Sequence, residues 1–241
     1  MRLGTWGAWI GLGLLGLPCA IAGAASPWDV EYYAGSLVYP HNNGDGWAYH
    51  NNGTGLTYQF VDDSLRINTM AAGQASNALV FENLNGPFNF ASGFMMEARL
   101  KMIAATDIYP RWGGACIASR SAAGYNMTID VGTDEVILGS IFDFVSFPMN
   151  TTDSFHTYRA EASNNYGRLF VDDVLRLEMP LSRDNNMPFF LFGDQGWEGG
   201  EMDYQFARYG VPEPASASLL GVVAFASLSR RRRGAVREMN H

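Results

Sequence analysis

Glu201-Met202-Asp203-Tyr204-Gln205-Phe206 places two carboxylates on alternate positions, so in an extended strand both project from one face. Paired carboxylates are the equipment for cleaving a glycosidic bond, with one giving a proton while the other attacks or activates water. The spacing then wants another acid further along the same strand, and Phe206 stands there instead. The stretch also closes the body of the chain, so a structural closing strand is expected.

Other residue types capable of chemistry are scattered. His41, His50 and His156 show no metal-type pairing such as H-x-x-x-H. His156 lies within a strand pattern and is expected to serve as a hydrogen-bonding tie. Asp62-Asp63 and Asp172-Asp173 read as turn carboxylates. "DNNM" and "GDQGWEGGEMD" are richer in oxygen ligands, making Asp184, Asp194 and Asp203 candidate Ca²⁺ ligands. Calcium takes six to eight oxygens, and no EF-hand or nonapeptide spacing accompanies these residues. There is no P-loop and no G-x-S-x-G. Cys116, alone once the N-terminal segment is removed, is expected as a small buried apolar residue. The expectation is a domain without catalytic machinery.

Binding residues are easier to name. "NNGDGWAYHNNGTG" sets Trp47 and Tyr49 beside Asn51 and Asn52, and Trp112 and Trp197 also fall in or beside loops. Sugar rings pack their C–H faces on exposed aromatics while amide side chains take the hydroxyls. The alternative is that these rings cap the core, the commoner fate of large aromatics.

The elements that must position these residues are strands. In "FMMEARLKMI", Phe94, Met96, Ala98, Leu100 and Met102 face one way, and Met95, Glu97, Arg99, Lys101 and Ile103 the other. "YNMTIDV" aligns Tyr125, Met127, Ile129 and Val131 and turns at "GTDE". "HTYRAEA" alternates Tyr158, Ala160 and Ala162 against Thr157, Arg159 and Glu161. "GRLFVDDVLRLEM" reads as a hairpin turning at Asp172-Asp173, with Leu175, Leu177 and Met179 inward on the return. Short strands at roughly 10-residue spacing, with no amphipathic helix between them, predict an all-β, two-sheet antiparallel sandwich.

The 241 residues are 47% hydrophobic, enough for one substantial core. The ends stand apart from it. An almost uncharged stretch from Leu3 to Ile21 precedes "AGAAS", whose Ala22-x-Ala24 fits a signal-peptidase site, so residues 1–25 read as a signal peptide. Six of the 16 Lys and Arg (Arg2, Arg230 to Arg233 and Arg237) lie in the terminal segments, but only two of the 24 Asp and Glu. The body therefore carries a net charge of −12. Such a surface repels nucleic acid, which is excluded as a partner.

After the body, Val211-Pro212-Glu213-Pro214 breaks any regular structure. An uncharged apolar segment follows over 215–229, then Arg230, Arg231, Arg232 and Arg233. Fifteen helical residues span about 22 Å, short of the roughly 30 Å of a bilayer core. The arginines would stay cytoplasmic by the positive-inside rule. This order of parts resembles the PEP-CTERM sorting signal of Gram-negative bacteria. The resemblance implies transient anchoring in the inner membrane, recognition by an exosortase, and release to the cell surface or extracellular matrix alongside exopolysaccharide.

The body, 26–210, resembles the concanavalin A-like, laminin-G-like jelly roll. "DSFHTYRAEASNNYGRLFVDDVLRLE" is similar to that fold's W/F-H-x-Y-R … L-x-V-D-G unit, with Asp173 where the family has Gly. "GFMMEARLKM" is similar to an earlier core strand. Among enzymes of this fold, retaining glucanases carry E-x-D-x-x-E, of which 201–206 is the near miss. The resemblance implies an exported domain that binds carbohydrate or matrix. Two alternatives stay open: a glycoside hydrolase or lyase of the glucanase class, and a calcium-dependent protein adhesion module.

Overall fold

A computed structural model describes residues 27–211, apart from 73–78, 87, 107–113, 142, 164, 185 and 196–198. The signal peptide and sorting signal, with Pro212, Glu213, Pro214 and Arg230 to Arg233, lie outside the described residues, as do Trp112 and Trp197.

Fifteen strands follow one another: β1 (Trp28–Tyr33), β2 (Trp47–Asn51), β3 (Thr57–Val61), β4 (Ser64–Asn68), β5 (Leu79–Asn83), β6 (Phe94–Ala105), β7 (Ala115–Arg120) and β8 (Asn126–Val131). The remainder are β9 (Glu135–Gly139), β10 (Phe144–Pro148), β11 (His156–Ser163), β12 (Tyr166–Val171), β13 (Val174–Pro180), β14 (Phe189–Asp194) and β15 (Gly200–Gly210). They form two antiparallel sheets. The first runs β13-β12-β11-β6-β15-β4-β3, with β1 also paired to β15; the second runs β10-β9-β8-β7-β14-β5-β2. This is the expected all-β sandwich.

Alternation explains the layers. The inward residues of β6 (Phe94, Met96, Ala98, Leu100, Met102) are all but fully buried, as are Met127, Ile129 and Val131 of β8. They meet Ile117, Phe81, Phe190 and Phe192 of the opposite sheet in one core cluster. Trp47 packs edge-on against Phe190 and Phe192, at 5.7 and 5.3 Å between ring centroids.

Two places break strict alternation. The hairpin at Asp172-Asp173 forms as expected, both residues taking left-handed φ of 49° and 63°, the type I′ pattern whose twist suits adjoining strands. Its return strand differs from expectation, however. A bulge between Leu169 and Phe170 shifts the register, so Leu175 turns out to solvent while Met179 stays buried. A second irregularity between Tyr204 and Phe206 lets β15 present Gln205 and Phe206 together before Ala207 and Tyr209 return to the core.

The outer face of the first sheet carries charges in register. Pairing places Glu31 opposite Arg208, Arg208 opposite Glu97, and Glu97 opposite Arg159. Arg208 reaches Glu31 at 2.9 Å and Glu97 at 2.5 Å, its guanidinium lying between the rings of Trp28 and Phe206. Arg159 reaches Glu97 at 3.9 Å and Asp173 at 2.7 Å. Glu97 is only 4% exposed, so removing it leaves two partly buried cations short of a counter-charge. Glu97→Ala is expected to cost about 3 kcal/mol, read as a lowered urea midpoint at unchanged m-value.

Candidate functional site

The near-miss carboxylates face the wrong sheet for a cavity. Asp203 forms a two-pronged ion pair with Arg66 (2.7 and 2.8 Å), and Glu201 lies 3.6 Å from the same guanidinium. Both belong to the outer face of the first sheet, on a strand that closes it. His156 is likewise a tie: Nδ1 lies 2.7 Å from Asp172 and Nε2 3.0 Å from Asp153. Burial pulls its pKa down, but the two carboxylate bonds outweigh this and hold it above the ordinary histidine value. An imidazolium held at both nitrogens is no general base.

The cavity lies on the outer face of the second sheet. Because side chains alternate, β7 turns Cys116, Ala118 and Arg120 outward, β8 turns Asn126, Thr128 and Asp130, and β9 turns Ile137 and Gly139. Register then builds rows across the sheet. Asp130 stands between Ile137 and Cys116, with Gly193 beyond; Thr128 stands between Gly139 and Ala118. Arg120 stands between Asn126 and Phe189. A cavity of about 270 Å³ opens over these rows, closed further by Gln195, Asp184, Ser140 and Phe144. Its floor continues into a buried apolar group of Val80, Cys116, Ala118, Phe189 and Leu191. Gly139 leaves room for Thr128, whose Oγ1 would sit 2.5 Å from a Cβ at that position.

Asp130 is the chemically unusual residue. Enclosure pushes its carboxyl from 3.8 up to about 7, assisted by the charge of Asp194 and opposed by hydrogen bonds from Cys116 and Thr128. It keeps some exposure at the cavity wall. A carboxyl there holds a proton near neutrality and can give it up. Cys116 is the reverse case: burial pushes its thiol well up, with the charge of Asp130 adding to it. It is a neutral thiol 3.9 Å from Gln195 Oε1 and no nucleophile.

At the other end, Arg120 Nη2 meets Asp184 at 2.8 Å and its guanidinium lies 4.7 Å over Phe189. Asp184 also accepts from the backbone and side chain of Asn186, and its own N–H donates to Gly124 O, which fixes it beside the β7–β8 turn.

The binding residues read from sequence are not gathered here. Trp47 is 5% exposed and in the core, corrected from a sugar platform by the inward register of β2. Tyr49 is half-buried among His41, Tyr58 and Phe81. Asn51 and Asn52 are exposed, Asn51 closing a turn to Gly53 N. The calcium candidates are dispersed: Asp184 pairs with Arg120, Asp203 with Arg66, and Asp194 is buried against Thr69. No group of three metal-binding side chains occurs among the described residues.

Comparison with known proteins follows from this geometry. No protein family and no curated protein sequence matches the chain. Solved structures do. A carbohydrate esterase of the Shiga toxin-encoding bacteriophage phi24B aligns at 11% identity over 76% of this chain and 98% of its own, with TM-score 0.55. A β-1,3-1,4-glucanase (lichenase) from a mouse hindgut metagenome aligns at 11% identity over 76% and 99%, TM-score 0.52. The laminarinase of Flavobacterium sp. UMI-01 aligns at 14% identity over 76% and 99%, TM-score 0.52. The chain is therefore an all-β jelly-roll sandwich of the kind these glucanases have.

These likenesses overturn the expectation of a domain without catalytic machinery, since the structures sharing the fold across nearly their whole length are enzymes. The physical reason for the miss is plain. A search along one strand for paired acids overlooks a site assembled across β7, β8 and the residue after β14.

Raising a carboxyl on folding leaves stability intact below pH 3.8 and erodes it as pH climbs toward 7, because only the unfolded chain then ionises freely. Asp130→Asn is therefore expected to raise Tm at pH 7, by at most about 4 kcal/mol in stability, with the gain vanishing near pH 4. Thermal unfolding of both chains across that range checks this.

Proposed function

We propose that this chain is an exported carbohydrate-active enzyme of the jelly-roll class, a glycoside hydrolase or lyase whose substrate lies across the outer face of the second sheet. The observation that carries this reading is Asp130, a carboxyl raised to about 7 in the wall of a cavity. There it would donate its proton to the bridging oxygen as the glycosidic bond breaks, so that the sugar leaves as a neutral hydroxyl. Phe144 at the mouth and Phe189 on the floor offer ring surface to the sugar. The jelly-roll likeness to a lichenase and a laminarinase supports a polysaccharide as substrate.

The export half of the proposal rests on the terminal segments. The signal peptide carries the domain across the inner membrane, the 215–229 segment holds it there, and exosortase processing near Pro212-Glu213-Pro214 releases it to the cell surface or matrix. Signal peptidase and exosortase are thus its processing partners, an extracellular polysaccharide its substrate, and Ca²⁺ an optional stabiliser.

Two measurements test this. Release of chain ends from a polysaccharide panel is expected to fall 10²-fold or more in Asp130→Asn, and the parent's rate to decline as pH rises through about 7. Unchanged turnover in Asp130→Asn overturns the assignment. Intact mass of protein recovered from the native cell surface is expected to lack both the first 25 or so residues and the Arg230 to Arg233 cluster; a retained cluster removes the sorting proposal.

A further inference from the structure

The hydrogen-bonding groups lining the cavity are unevenly divided between donors and acceptors. Arg120 Nε is buried and has no acceptor among the described residues, and no other such orphan lines this cavity. The Asn126 side-chain amide is engaged by no described residue. Gln195 faces the Cys116 thiol with its oxygen and keeps its NH₂ free for a ligand. Asp130, protonated below about pH 7, adds an O–H.

Acceptors are largely spent. The Asp184 carboxylate already takes Arg120 Nη2 together with the backbone N–H and side-chain amide of Asn186. Ser140 Oγ donates to Asn126 O and accepts from Ser182 N.

A neutral sugar presents hydroxyls, each bringing a proton that needs an acceptor, and this wall offers few. A carboxylate brings acceptors only, with room for about four hydrogen bonds and no donor. A buried orphan donor is also costly unless something accepts from it. Resting on the reading of this cavity as the carbohydrate site, we infer that it is built for a uronic acid residue, whose carboxylate is received by Arg120 Nε and the Asn126 amide.

The electrostatics permit this. Arg120 and Asp184 cancel, and Asp130 is uncharged below about pH 7, so the cavity itself is close to neutral although the body is acidic. Exposed acids more than about 8 Å away are screened at physiological ionic strength, while an enclosed guanidinium–carboxylate contact is screened far less. An anionic sugar beside Asp130 would also help it keep its proton.

The inference commits to an acidic polysaccharide, and neutral glucans and O-acetylated glycans become outcomes of its test. The experiment is calorimetric titration of the full chain carrying Asp130→Asn, which blocks turnover, with tetragalacturonate, tetramannuronate, laminaritetraose and acetylated xylotetraose. The uronates are expected to bind at least tenfold tighter than the other two. Arg120→Lys keeps the charge but removes Nε, and is expected to weaken uronate binding at least tenfold. Asn126→Asp, which sets a like charge against the ligand without touching the Arg120–Asp184 pair, is expected to abolish it and serves if Arg120→Lys fails to fold. Equal or tighter binding of laminaritetraose or acetylated xylotetraose, or uronate binding unmoved by both substitutions, overturns the inference and leaves the cavity as a carbohydrate site. Failure of all four ligands to bind overturns both.

Discussion

Tyr204 fastens the two sheets together directly beneath the candidate site. Its ring is fully buried on β15 of the first sheet, and its hydroxyl reaches Gly193 O at 3.0 Å and Cys116 O at 3.2 Å on the second. One proton is shared between two carbonyls of adjacent strands, β14 and β7. Those carbonyls belong to the row whose outward members are Asp130 and Cys116. The tie thus sets the depth of that row relative to the core, and with it the enclosure that raises Asp130. Stacking of Tyr32 and Phe81 on Phe192, and of Phe192 against Tyr204, builds a continuous aromatic wall around it.

Charge is divided between the two outer faces by a consistent logic. On the first sheet each buried or half-buried acid meets an arginine in register, so Glu97, Asp203 and Asp173 are spent on holding strands together. The second sheet carries an apolar outer face interrupted by Arg120, Asn126, Thr128 and Asp130. An unpaired acid there has no structural use and carries a stability cost. Natural sequences retain such costs where chemistry needs them, which is why Asp130 points to function and Asp203 does not.

The sandwich was legible in the sequence because one strand face must be apolar and the next residue need not be. "FMMEARLKMI" and "HTYRAEA" state their burial residue by residue, and the structure follows them. The hairpin turn was legible as well, since two successive acids between apolar strands tolerate the left-handed backbone that a tight turn requires. Where bulges enter, at Leu169–Phe170 and Tyr204–Phe206, period two fails and so does the reading of Leu175. Trp47 failed for a related reason: loop-like surroundings say nothing about which face of β2 a ring takes.

What the sequence by itself determined is local: strands with an inward face, turns, an acidic body, and terminal segments with the composition of export and sorting signals. What only the tertiary structure decided is adjacency. Asp130, Arg120 and Gln195 come from β8, β7 and the end of β14, and no spacing along the chain announces that these strands are neighbours. The raised carboxyl of Asp130 depends on that adjacency, because desolvation is a property of everything packed around a group and not of the residues beside it in sequence.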